Sequence, residues 1–97
     1  MDYNVMIHSS DVVMLEFYAS WCPHCRKMEP VVEQVRKAVN GHVPIWQIDI
    51  DKETALSDDL NIQTVPTFII YRHGGEVWRH SGEIDGNLLL SKLQTAM

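Results

Sequence analysis

Apolar positions along the chain fall into short runs whose spacing switches between the two periods of regular structure, alternation for strands and a three-to-four step for helices. Tyr3 to Ile7 reads as a short, weak strand, and His8 to Asp11 as the turn after it. Val12 to Tyr18 is nearly continuous in apolar residues, interrupted only by Glu16, as a parallel strand covered on both faces requires. The period then changes. Met28, Val31, Val32, Val35, Ala38 and Val39 recur at helical spacing, with Arg26, Lys27, Glu33, Gln34, Arg36 and Lys37 on the opposite side. That predicts an amphipathic helix ending at Asn40 and Gly41, with Pro30 inside it. Ile45 to Ile50 alternates as a strand, and Lys52 to Asn61 forms a short helix with Leu56 and Leu60 inward. Pro66 stands at the entrance of the apolar run Phe68 to Tyr71, where a missing N–H is tolerated. His73, Gly74 and Gly75 make a turn into Glu76 to Ser81, and Gly82 breaks or bulges that strand. Asp85 caps a last helix carrying Leu89, Leu93 and Met97 on one stripe with Leu88 beside it. The resulting order is strand, strand, helix, strand, helix, strand, strand, helix. It predicts an α/β domain with a mixed central sheet of four to five strands, a terminal hairpin, and helices on both faces.

Composition narrows the function. The 97 residues, 45% hydrophobic, suit a single domain spanning 1–97. Thirteen acidic against eight basic side chains give a charge of -5, and no basic run exceeds a pair, so nucleic acid is not an expected partner. No apolar stretch approaches the roughly 20 residues of a membrane span. A start of Met1-Asp2, with Arg26 the first basic residue, does not read as a secretory leader, so the expectation is a cytoplasmic protein or one already trimmed.

The chemistry lies in Trp21-Cys22-Pro23-His24-Cys25, which holds both cysteines of the chain at the junction of strand and helix. Sulfurs placed there share one turn at a helix start, where free N–H groups and the positive dipole end favour a thiolate. A free cysteine, with a pKa of about 8.5, supplies only a few per cent of thiolate at neutral pH. His24 is expected to lower the Cys22 pKa by charge or hydrogen bonding. A Cys-x-x-Cys pair is also half of a zinc site, but the other histidines lack paired spacing, and Arg26 directly after Cys25 excludes covalent haem. No metal and no bound cofactor is therefore expected. Glu16 is either a buried acid of raised pKa that exchanges protons with Cys25, or a carboxylate at a sheet edge. Pro66 on sequence alone is a strand-entry proline or a cis-proline. Trp21 is expected to pack on the cysteine loop and limit solvent there, Trp46 and Trp78 to be structural, and His73 and His80 to be solvated.

The run Phe17 to Cys25, with Pro30 and Val65-Pro66-Thr67 downstream and Asp49, Gly75 and Gly82 in place, resembles the thioredoxin family from about Val12 onward. The resemblance implies a thioredoxin fold and thiol–disulfide oxidoreductase activity on protein substrates, with Cys22 attacking and Cys25 resolving. It further implies a cis Pro66 facing the disulfide, Glu16 in place of the family's buried acid, and a substrate groove formed by Trp21, Pro23, Val65 and Pro66. A thioredoxin reductase is the implied electron donor, and the protein is expected to act as a monomer. Three departures stand out. The segment before the cysteines is short, so the N-terminal helix is expected to be reduced or missing and one sheet edge exposed. Pro-His replaces the usual Gly-Pro between the cysteines and looks like the pair of disulfide oxidases, so a more oxidising potential is expected. Gln47 stands where many members have a lysine, which should make Glu16 easier to keep protonated. A client-binding module that uses the same groove without turnover is the rival reading.

Overall fold

The computed structural model describes residues 2–97. Its elements in chain order are α1 (Tyr3–Ile7), β1 (Val12–Tyr18), α2 (Pro23–Val39), β2 (Ile45–Asp49), α3 (Thr54–Asp59), β3 (Thr67–Arg72), β4 (Gly75–Ser81) and α4 (Gly86–Ala96). The strands form one sheet in the order β2-β1-β3-β4. β1 runs parallel to β2 and antiparallel to β3, and β3 runs antiparallel to β4.

The expected first strand is a helix. Tyr3, Met6 and Ile7 are spaced as one helical face, the Asp2 carboxylate accepts from the Val5 N–H at 3.3 Å, and the Ser9 N–H and hydroxyl close the other end on the Met6 carbonyl. Met6 and Ile7 are buried beneath the sheet, and the Tyr3 hydroxyl donates to that of Tyr71 at 2.9 Å. The N-terminal helix is thus reduced to five residues, and the sheet has four strands, with β2 at one edge.

Alternation along β1 sorts its side chains between two cores. Val12 and Met14 join Phe68 and Ile70 against Met28, Val32, Val35 and Val39 of α2 and Leu89 and Leu93 of α4. Val13, Leu15 and Phe17 join Ile48, Ile69 and Tyr71 against α1, with Leu56 and Leu60 of α3 packed alongside. β1 is therefore covered on both faces, as its near-continuous apolar run requires. The same alternation aims Glu16, in step with Val12 and Met14, at the underside of α2.

Local chemistry fixes the connections. His73 and Gly74 both have positive φ, 51° and 81°, as a tight two-residue hairpin turn demands, and the His8 ring closes over Gly74. β4 ends before Gly82, which has φ 97° and donates its N–H to the Pro66 carbonyl at 2.7 Å, while the irregular register falls at Ile70/Tyr71. The Asp85 side chain caps α4 on the Leu88 N–H. Met97 of the predicted α4 stripe, and Leu88 beside that stripe, are not buried. Met97, past the helix end, is 55% exposed, and Leu88 points outward at 48%. Leu89→Ala should therefore cost about 2–5 kcal/mol in urea unfolding, and Leu88→Ala no more than about 0.5 kcal/mol. Equal losses would contradict this packing.

Candidate active site

β1 ends at Tyr18, and the chain turns through Ala19, Ser20 and Trp21 into α2. Cys22 is the N-cap of that helix: its Sγ accepts the Cys25 N–H at 3.3 Å, in the place an oxygen acceptor usually fills. Pro23 occupies the first helical position, where a residue without an N–H costs nothing, and is exposed. Both cysteines are free thiols, buried at 3% and 4% exposure, in a small apolar cluster with Ala19. Across the loop the Val65–Pro66 peptide is cis, Pro66 is buried, and the Cys22 thiol lies 3.6 Å from the Val65 carbonyl oxygen.

The two sulfurs are electrostatically unlike. Burial pushes the Cys22 thiol up, but the Cys25 thiol, the N–H groups of Cys25 and His24, and the Arg26 charge outweigh it, and the net shift is downward. Burial also pushes Cys25 up, reinforced by its hydrogen bond to Cys22 and by the charges of Cys22 and Glu16, to about 12. One sulfur is poised to ionise and the other to hold its proton.

Glu16 is 2% exposed, and burial raises its pKa. The Gln47 amide, held on its oxygen by Arg36 at 3.5 Å, donates to Glu16 Oε1 at 2.9 Å and only partly offsets the burial. Glu29 and Glu33 raise the pKa further. A cleft of about 280 Å³ lined by Glu16, Tyr18, Cys25, Glu29, Glu33 and Gln47 joins the carboxyl to the Cys25 thiol. The sheet-edge reading of Glu16 is thus excluded, since β1 lies between β2 and β3.

Two neighbours depart from expectation. The His24 imidazole does not turn to Cys22: its Nδ1–H donates to Glu83 Oε2 at 2.5 Å, and only its main-chain N–H acts on the sulfur. Trp21 is 61% exposed and shields little; its indole N–H donates to Asp51 at 2.9 Å. Farther off, Trp46 is 36% exposed and tied to Ser9, His80 is half-buried and stacked on Trp78, and His73 is exposed. Glu83 and Asp51, the partners of His24 and Trp21, carried no local sequence signal, although Glu83 directly follows the punctuating Gly82. Among the described residues no three His, Cys, Asp or Glu side chains converge on a metal position, and no helix is long and apolar enough to cross a membrane.

The thioredoxin family model matches residues 1–95. The chain belongs to the thioredoxin family. It is 30% identical over 89 residues to chloroplastic Thioredoxin Y of Oryza sativa subsp. japonica, covering 92% of this chain and 53% of that protein. To a thioredoxin-like protein of Synechocystis sp. it is 34% identical over 82 residues, covering 84% and 78% of the two chains. The chain thus spans about half the length of the rice protein and most of the cyanobacterial one. A mutant thioredoxin from Halobacterium salinarum superposes with a TM-score of 0.86 at 30% identity, over 96% of this chain and 80% of that one. The four-stranded mixed sheet flanked by helices is the thioredoxin fold, and the family consists of thiol–disulfide oxidoreductases.

A raised carboxyl pKa has a consequence for stability. Folding favours protonated Glu16, so its contribution is fully present below its unfolded pKa and is lost as pH rises through the folded pKa. Glu16→Gln should match the parent in urea titrations at about pH 4, below the ordinary carboxylate value of about 4.3, and exceed it in alkaline ones. Parallel pH profiles would contradict the assignment.

Proposed function

We propose that this thioredoxin-family protein is a monomeric oxidoreductase acting on protein disulfides through Cys22 and Cys25, with a more oxidising potential than relatives carrying Gly-Pro between their cysteines. The observation that carries the reading is the Cys22 sulfur at the α2 N-cap, accepting the Cys25 N–H at 3.3 Å.

In the reducing direction, the Cys22 thiolate attacks one sulfur of a substrate disulfide. A bond forms between Cys22 and that sulfur, and the substrate's other sulfur leaves as a thiolate. Cys25 then loses its proton to the Glu16 carboxylate across the shared cleft and attacks the Cys22 sulfur. The Cys22–Cys25 disulfide forms, the second substrate sulfur leaves and is protonated, and two electrons have passed to the substrate. A thioredoxin reductase returns those electrons; run backward, the same steps oxidise a substrate dithiol. The exposed Trp21 and Pro23 on one side and Val65 and Pro66 on the other border the groove in which an extended substrate chain would lie.

The oxidising bias has a main-chain origin. With Gly-Pro between the cysteines, proline falls at the second position and supplies no N–H; here proline is moved to position 23, and the His24 N–H favours the Cys22 thiolate. For a two-electron couple, about 1.4 kcal/mol of thiolate stabilisation corresponds to about 30 mV. His24→Pro and His24→Ala both remove the imidazole, but only proline removes the donor. The potential of His24→Pro should therefore lie below that of His24→Ala. Equal potentials would overturn the main-chain explanation.

The activity itself is tested by reduction of a protein disulfide such as that of insulin, with dithiothreitol as donor. The parent should turn over many times, Cys22→Ser should be inactive, and Cys25→Ala, mixed with the substrate without dithiothreitol, should accumulate as a mixed disulfide at Cys22. Glu16→Gln should resolve that intermediate on the order of 10²-fold more slowly than the parent. Stoichiometric reaction without turnover would instead mark the client-binding module.

A further inference from the structure

The segments around Cys22 are linked in a ring. The Cys22 thiol lies against the Val65 carbonyl, the Pro66 carbonyl accepts the Gly82 N–H at 2.7 Å, and Glu83, the next residue, accepts from His24 Nδ1 at 2.5 Å. His24 lies two residues beyond Cys22 and closes the circuit. On the far side, His80 Nε2 lies 3.1 Å from the Glu83 carbonyl, and the His80 ring is stacked on Trp78, which backs the strand leading into this loop.

We propose that Glu83 is a positioning residue: it holds the His24 imidazole on the β4–α4 loop, out of ion pairing with the Cys22 thiolate, and so limits the oxidising power that a histidine at this position would otherwise give. The proposal rests on the reading of Cys22 as the attacking thiolate.

The physical argument is a competition for one imidazolium. A protonated ring two residues from a thiolate is attracted to it, and every increment of that attraction stabilises the reduced protein. A carboxylate at hydrogen-bonding distance competes for the same ring and returns a compensating negative charge. The hydrogen bond from His24 in turn pulls the Glu83 carboxyl below the usual carboxylate range, so the acceptor stays ionised through mildly acidic conditions. The other charged and titratable groups that face the clasp are Lys27 toward Glu83, His80 at its carbonyl, Arg26 and Cys25 toward Cys22, and Glu16 toward Cys25. None of them occupies the imidazole in place of Glu83.

The test is the proton affinity of His24, followed by NMR of its ring in the oxidised and reduced full-length protein, for the parent and for Glu83→Gln. If Glu83 holds the ring, the parent's His24 titrates within about 2-fold of the same proton affinity in both redox states. In Glu83→Gln the reduced form binds the proton about 3- to 10-fold more tightly than the oxidised form, the effect of one charge partly screened by solvent. By linkage, the glutathione equilibrium of Glu83→Gln then moves further toward the reduced protein than that of the parent as pH falls through the imidazole range, and adding His24→Ala removes that extra pH dependence, leaving the part due to Cys22 itself. Redox-sensitive titration already present in the parent, or absent from Glu83→Gln, overturns the proposal. The Cys22 titration of the parent separates the two failures: an ordinary thiol there defeats the functional reading itself, whereas a depressed one with an unresponsive His24 defeats only the role of Glu83.

Discussion

The main-chain hydrogen bond from Cys25 to the Cys22 sulfur is the contact around which this molecule is organised. It makes a side chain of the reactive loop the cap of the longest helix, so the sulfur's position is set by the helix rather than by a flexible loop. A neutral thiol is a poor acceptor and a thiolate a good one, so the geometry that completes the helix also favours ionisation. The second sulfur, one turn deeper, receives the opposite treatment: burial and the negative charges around it keep its proton in place. Asymmetry between two chemically identical groups thus comes from a single turn of helix.

The rest of the fold serves that turn. β1 is buried on both faces because α2 and α4 cover one side and α1 and α3 the other, and its alternation carries Glu16 beneath the helix that bears Cys25. A carboxyl in that position costs free energy when ionised, and the hydrogen bond from Gln47 and the nearby Arg36 charge only partly offset that cost. It is therefore a proton donor and acceptor held in reserve, open to the second sulfur through a polar cleft. The His24 ring, on the residue two beyond the reacting sulfur, likewise has its partner elsewhere, on Glu83.

What the chain disclosed by itself follows from how local each signal is. The cysteine pair, the helix behind it, the buried strand and the Asp85 cap are written in consecutive residues and were readable as such. Tyr3 to Ile7, at five residues, fits either period; Tyr3, Met6 and Ile7 on one helical face behind an Asp2 cap decide for the helix. Met97 continues the periodic stripe of α4 but lies past the helix end, so periodicity overran the core it was meant to mark. Glu16 stood out as the lone acid in an apolar run, yet its place beneath α2 required the register of the sheet. The His24–Glu83 contact spans 59 positions, and Trp21–Asp51 spans 30, so neither had a local signature. Side-chain orientation at the reactive loop was accordingly the least legible part of the site.

The most direct measurement is the pH dependence of thiolate formation in the reduced protein, followed by ultraviolet absorbance and by the rate of alkylation at each cysteine. The account predicts one thiol, Cys22, ionising below the ordinary cysteine value of about 8.5, and a second, Cys25, that stays protonated until far into the alkaline range. Two sulfurs titrating together at the value of a free cysteine would contradict it.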